Sequence, residues 1–203
     1  MYKSVFKKFS YLEGSQHIAS ENALREIEKL ANKKHIKTVF EFGIGIGTIP
    51  YLLFNLDQEI NYIGTESNDF CIKALNKNLK NIKTNKSFLH LNNHSMYDGE
   101  EVDLIIIDGN FNDESFLKKI CHKNTIILIE GKRSKQVEFI LKIFPKALAS
   151  HKISNKKNMI YSPFYKKYQN PYIGGFSLIR INNSPKNIVK TYIEKIVTSI
   201  KYK

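Results

Sequence analysis

Lys37-Thr38-Val39-Phe40-Glu41-Phe42-Gly43-Ile44-Gly45-Ile46-Gly47 is the stretch on which the reading of this chain turns. A short apolar run stops at Phe42, and three glycines follow at alternate positions. The run reads as a strand, and glycines directly after it let the backbone turn sharply and let a ligand approach main-chain N–H groups. A tight turn that binds nothing needs fewer glycines than this.

Reading outward, Thr48 to Leu56 predicts a helix, with Pro50 tolerable in its first turn. Asn61 to Glu66, Ser87 to Leu91, Val102 to Asp108 and Thr125 to Glu130 predict four more strands. The last two are almost entirely apolar. Asp69 to Leu79, Asp113 to Ile120 and Ser134 to Phe144 predict helices between or after them. A helix opening at Ser20-Glu21-Asn22-Ala23 precedes the first strand. Apolar strands separated by helices mean a parallel sheet covered on both faces, a doubly wound α/β fold.

The end of the chain reads differently. Gly174-Gly175 leads into a late strand, Phe176 to Ile181, that is expected to run antiparallel. Met159 to Phe164 is a candidate partner for it. Ser184-Pro185 is a cap followed by a first-turn proline. The helix after it carries Ile188, Val189, Tyr192, Ile193, Ile196, Val197 and Ile200 on one stripe. That stripe is expected to pack against the domain, the alternative being a dimer or partner contact.

Composition bounds the rest. A chain of 203 residues with 42% hydrophobic and 25% charged residues suits one folded domain. We expect residues 1–34 to supply an N-terminal lid and helix, 35–183 a ligand-binding core, and 184–203 a C-terminal helix. No apolar run reaches the length of a membrane span. The basic N-terminus has no apolar core of the secretory type. Cys71 and Cys121 form no CxxC pattern, which fits a reducing, cytoplasmic setting.

Lys plus Arg is 32 against 19 Asp plus Glu, a net +13. Such an excess points to an anionic partner: nucleic acid, a membrane surface or a phosphorylated substrate. Only Arg25, Arg133 and Arg180 are arginine, the side chain that reads phosphates and bases bidentately. Nucleic acid is therefore possible but not favoured.

Which ligand suits the glycines? A dinucleotide fold asks for GxGxxG, and both registers fail at the third glycine, at Thr48 or at Pro50. The Gly-Lys-Ser/Thr of a P-loop is absent. Glu66 ends the second strand about twenty residues on, where a carboxylate accepts hydrogen bonds from ribose hydroxyls. Its charge disfavours a phosphate near that ribose.

EFGIGIG after the first strand, GTES at the second and DLIIIDG at the fourth resemble class I S-adenosylmethionine-dependent methyltransferases. Among these the chain is most similar to small O-methyltransferases of the catechol and caffeoyl-CoA type and their bacterial relatives. The likeness spans roughly residues 12–181. It implies a Rossmann-like, seven-stranded, mostly parallel sheet with a reversed late strand, and S-adenosylmethionine as cofactor. It further implies that Glu41 approaches the cofactor's amino-acid end and that Gly43, Gly45 and Gly47 line its methionine and ribose. Glu66 would hold the ribose, with Ser67 beside the adenine. Asn93, His94 and Ser95 would lie at the adenine edge. Asp108 would stand near the sulfonium and the acceptor, as the catalytic candidate. The segment from Glu13 to Ile18 would cover the site, bringing His17 to the acceptor.

The chain departs from the family's pattern where metal-dependent relatives carry an Asp-Asn pair after the fifth strand. Glu130-Gly131-Lys132-Arg133 stands there instead. No metal is expected; Asp108 and Glu130 are the residues that would have to carry one. The Asp-Gly-Asp-His run of other relatives is Asp108-Gly109-Asn110-Phe111 here, so that histidine is absent. Lys132 and Arg133 are expected to bind an anionic group of the acceptor. Tyr161, Tyr165 and Tyr168, interleaved with Lys166 and Lys167, are candidates for an acceptor wall.

The expected activity is methyl transfer to a small, anionic acceptor, at oxygen. Two alternatives stand beside it: an RNA or protein methyltransferase using the basic surface, and a non-catalytic cofactor-binding or interaction protein of the same fold. A homodimer is possible.

Overall fold

A computed structural model of the chain describes residues 1–80, 87–154 and 174–201. Two helices, α1 (Tyr2–Ser10) and α2 (Glu21–Ala31), precede β1 (Thr38–Phe42). Then follow α3 (Thr48–Phe54), β2 (Asn61–Thr65), α4 (Asp69–Leu79), β3 (Phe88–Leu91) and β4 (Val102–Ile107). The chain continues through α5 (Glu114–Ile120), β5 (Cys121–Glu130), α6 (Ser134–Ile143), β6 (Leu148–Ile153), β7 (Gly175–Arg180) and α7 (Pro185–Lys201).

The strands form one seven-stranded sheet in the order β3-β2-β1-β4-β5-β7-β6. β1 to β5 pair in parallel. β7 lies between β5 and β6 and is antiparallel to both. This is the expected doubly wound sheet with its reversed late strand. The partner of β7 differs from expectation: Leu148–Ile153 takes that edge. Met159 to Phe164 lies outside the described residues, as do Tyr161, Tyr165, Tyr168, Lys166 and Lys167.

Alternation along the strands sorts the core into two layers. Val39, Leu104, Ile106, Ile126, Leu128, Phe176 and Leu178 face one side, with the apolar stripes of α1 to α4. Phe40, Phe42, Ile105, Ile107, Ile127, Ile129 and Ile179 face the other, against α5 and α6. Burial on both faces explains why β4 and β5 read as unbroken apolar runs.

Residues 1–34 hold one helix more than the sequence predicts: α1 buries Val5, Phe6 and Phe9 against α2 and α3. Its spacing, Val5-Phe6-Phe9, is the i, i+1, i+4 pattern of a helix face, half hidden among lysines. One expectation needs correction: the stripe of α7 is turned outward, with Ile188, Val189, Tyr192, Ile193, Ile196 and Val197 exposed, while the Ile200 side chain lies outside the described residues.

Strand order reverses between β1 and β4, since the chain winds outward through β2 and β3 and then returns. In open α/β sheets the crevice beyond the carboxyl ends at such a switch point receives ligands. The glycine loop after β1 and Asp108 after β4 flank that crevice.

Candidate functional site

The glycine loop needs its glycines for backbone reasons. Gly43, Gly45 and Gly47 have φ of 85°, 59° and 93°, all in the left-handed region that side chains strain to enter. A Cβ on Gly43 would stand 2.4 Å from the Asp108 carbonyl oxygen, and one on Gly45 would stand 2.1 Å from that of His17. The loop is therefore pressed between the end of β4 and the N-terminal turn at Ser15–His17. Asp108 N–H donates to the Phe42 carbonyl at 2.9 Å, which fixes the two strand ends together.

Glu66 closes this cradle. Its Oε2 accepts from Gly45 N–H at 2.8 Å, and its Oε1 accepts from the N–H groups of Ser67 and Asn68 at 2.9 Å each. Three backbone donors hold the carboxylate over the loop, where Ser67 also stands. Asn68 then caps α4 by accepting from Cys71 N–H.

Glu41 lies at the bottom, 1% exposed, and accepts a hydrogen bond from the Tyr62 hydroxyl. Burial pushes the Glu41 carboxyl well above its usual range, with Asp108 and Glu66 adding repulsion against the Tyr62 bond. Gly64 makes the pairing possible. It sits opposite Glu41 in register, and a Cβ there would come within 2.8 Å of the Tyr62 hydroxyl. Nothing in the pattern of β2 announces Tyr62 as a partner, because the contact depends on a missing side chain.

Asp108 is held in place by Arg133, whose Nη2 donates to Oδ1 at 3.1 Å. Arg133 also donates through Nε to the Glu130 carbonyl at 3.0 Å. The guanidinium thus ties β4 to β5. Burial and the charge of Glu130 outweigh Arg133, so the Asp108 carboxyl is raised to about 7. Glu130 accepts from Ser20 N–H at 3.2 Å, and burial raises its pKa as well. Lys132 is exposed beside them.

Gln136 was missed in the sequence. Its amide accepts from Phe111 N–H at 3.1 Å and donates to the Phe111 carbonyl at 2.7 Å. It clips the loop after Asp108 to α6 as Arg133 clips Asp108 itself. A contact between residues 25 apart leaves no local signal.

The structure places the third-strand candidates on another wall. Asn93 caps a short turn by accepting from Ser95 N–H, and His94 Nε2 stands 3.2 Å from Asp113 Oδ2. The His94 ring packs against Phe42, Phe111 and Phe116. Asp113 is held down to about 2, first by Phe116 N–H, then by the Ser115 hydroxyl and by His94. His94 is thus seated by aromatic rings and a carboxylate at the α5 cap. His17 is exposed, and its carbonyl rather than its ring touches the glycine loop.

The donor set does not suit a divalent ion. Asp108 already carries a guanidinium and Glu130 a backbone N–H, and Gly131 brings no ligand. Among the described residues no three His, Cys, Asp or Glu side chains gather closely enough for a metal.

No protein-family model matches the chain, and no curated protein sequence matches it. Solved structures do. An O-methyltransferase from Bacillus cereus in complex with S-adenosylhomocysteine superposes with a TM-score of 0.62 at 13% identity, over 88% of this chain and 89% of that one. A precorrin-6y C5,15-methyltransferase from Geobacter metallireducens gives 0.63 at 10% identity, over 85% and 94%. A tRNA methyltransferase from Aquifex aeolicus gives 0.59 at 16% identity, over 86% and 75%. The chain has the fold of the class I methyltransferases. These neighbours act on different acceptors, so the fold does not choose among them.

Proposed function

We propose that this chain is an S-adenosylmethionine-dependent methyltransferase that acts at oxygen on a small, anionic acceptor. The observation that carries the reading is the cradle at the switch point. Three left-handed glycines lie beneath Glu66, with Glu41 and Asp108 beside them and no phosphate-binding lysine in the loop. An acidic, phosphate-averse pocket suits a cationic sulfonium with free ribose hydroxyls.

When bound, S-adenosylmethionine supplies an electrophilic methyl group. Glu66 would hold the ribose hydroxyls, and the glycine loop would let the chain come close without side chains in the way. Ser67, Asn93, His94 and Ser95 would line the adenine side, and Glu41 would keep negative potential under the amino-acid end. Asp108 would orient the acceptor hydroxyl and take its proton. A carboxyl near 7 is matched to that task, because a general base works best when its pKa lies close to the working pH. Arg133 holds the Asp108 carboxylate at one oxygen and leaves the other for the acceptor. Lys132, with Arg133, would attract the acceptor's anionic group, and the turn carrying His17 would exclude water.

The test is a methyl-transfer assay with radiolabelled cofactor against a panel of hydroxylated carboxylates, sugar acids and phosphates, across pH 5.5 to 9. Turnover should rise with pH as Asp108 ionises around 7. Asp108→Asn should abolish that limb, while affinity for S-adenosylhomocysteine, which lacks the sulfonium charge, should change little. Methyl incorporation into RNA alone, with none into small molecules, would reject the acceptor class.

A further inference from the structure

α7 is folded inside out. At about 100° per residue, Ile188, Val189, Tyr192, Ile193 and Val197 share one half of the helix. That half faces solvent: Tyr192 is 66% exposed, Val189 59% and Ile193 53%. The polar half is the one that packs, with Thr191 3% and Glu194 8% exposed. The cause is Arg180 at the end of β7. It is itself buried and donates to both Glu194 oxygens at 2.9 and 2.8 Å and to the Thr191 hydroxyl at 3.1 Å. Ser150 on β6 adds a bond to Glu194 at 2.8 Å. A buried bidentate pair selects which side of the helix turns inward, against its apolar preference.

Charge identifies what that face meets. Lysines border the apolar half on both edges, Lys186 and Lys190 on one and Lys195 on the other, and Glu194 is the helix's only acid. Beside Lys190 a cleft opens at the amino ends of β4 and β5, lined by Lys33, His35, Arg180 and Lys186 and by one carboxylate, Asp103. Burial, then Lys190 and Arg180, push Lys33 down to about 8, as expected for cations gathered with too little counter-charge. Two copies of this chain would bring lysine rims together, each copy carrying +13. Like charges across an interface oppose association. An anionic lipid surface offers both what the apolar half and what the lysine rim lack.

We propose that α7 is an interfacial helix that docks the protein on an anionic lipid surface through its outward apolar face and lysine rim. The helix lies in the plane of the headgroups, and the Lys33–Lys190 cleft faces them. Among the described residues no helix is long and apolar enough to cross a membrane, so this contact is peripheral. It does not depend on the methyl-transfer reading.

The experiment is co-sedimentation of the full chain with vesicles of phosphatidylcholine alone or mixed with phosphatidylglycerol. Binding is expected only to the mixed vesicles, weakening as salt is raised. Lys195→Gln should lower the partition about five-fold, and Ile193→Asn about ten-fold. Both residues are exposed, so thermal midpoints should not move, and that measurement excludes misfolding as the cause. Equal binding to neutral vesicles, or none to either, overturns the proposal. So does a dimer in sedimentation equilibrium that Ile193→Asn dissolves, or salt-sensitive binding to RNA in place of vesicles.

Discussion

The two ends of this sheet are built alike with opposite sign. At the carboxyl end, Glu41 is buried and Asp108 and Glu130 are half-buried, and desolvation raises all three carboxyls, with repulsion from neighbouring carboxylates added at Glu41 and Asp108. At the amino end, Lys33 and Lys190 are half-buried beside Arg180, and the same physics lowers both ammonium groups. Each end holds more charge of one sign than its own partners neutralise. The difference teaches where the +13 belongs. It is no uniform coat: an acidic crevice suits a cation, and a basic cleft with an apolar helix suits an anionic surface.

Breaking the basic end should have the largest effect. Arg180→Met leaves the buried Glu194 with only the Ser150 hydroxyl at 2.8 Å and the Lys152 ammonium at 3.7 Å, and removing the bidentate member of such a pair costs about 3–5 kcal/mol. Denaturant unfolding would show it. The double variant Arg180→Met, Glu194→Leu should recover most of the loss, since no unpaired charge is left behind. A single variant as stable as the wild type would mean that the pair does not orient α7.

The acidic end should give next. Gly45→Ala forces a side chain into φ 59° and against the His17 carbonyl. A loss of about 1–3 kcal/mol is expected from such strain, read as a lower thermal midpoint. Gly109, two residues past β4, has nothing within 4 Å of a built Cβ. Gly109→Ala should be near neutral, which separates the cradle from its surroundings.

The pH dependence sharpens the contrast in sign. Asp108 binds its proton more tightly folded than unfolded, so its contribution to stability falls as pH rises from about 4 to about 7. Lys33 releases its proton more easily folded, so its contribution rises from about 8 to about 10.5. Urea midpoints across pH should therefore differ between wild type and Asp108→Asn on the acid side, and between wild type and Lys33→Met on the alkaline side. Curves that move in parallel at all pH values would deny both assignments. The smallest effect is expected at exposed Lys132: Lys132→Ala should alter stability by less than about 0.5 kcal/mol.

Much of this was legible in the sequence because it is local. Alternation and apolar runs carry β1 to β5, and the stretches between them read as helices. The glycines and Glu66 announce the cradle through their spacing alone. The parts that stayed hidden depend on distant pairings. β6 is a half-exposed edge strand with polar residues, so no pattern separates it from a loop. The outward turn of α7 follows from Arg180 and Glu194 finding each other, and apolar spacing argues for the opposite face. Arg133 stood out as a cation expected to bind an anionic group, while its bond to Asp108 and the clip by Gln136 exist only once β4, β5 and α6 are assembled.

Calorimetric titration of the full chain with S-adenosylhomocysteine tests the central claim most directly. Wild type should bind one equivalent. Glu66→Ala, which loses the tie to Gly45 and would lose the proposed charge-assisted bonds to the ribose, should bind about 100-fold more weakly. No heat with folded wild-type protein, or equal affinity in the two forms, would contradict the account.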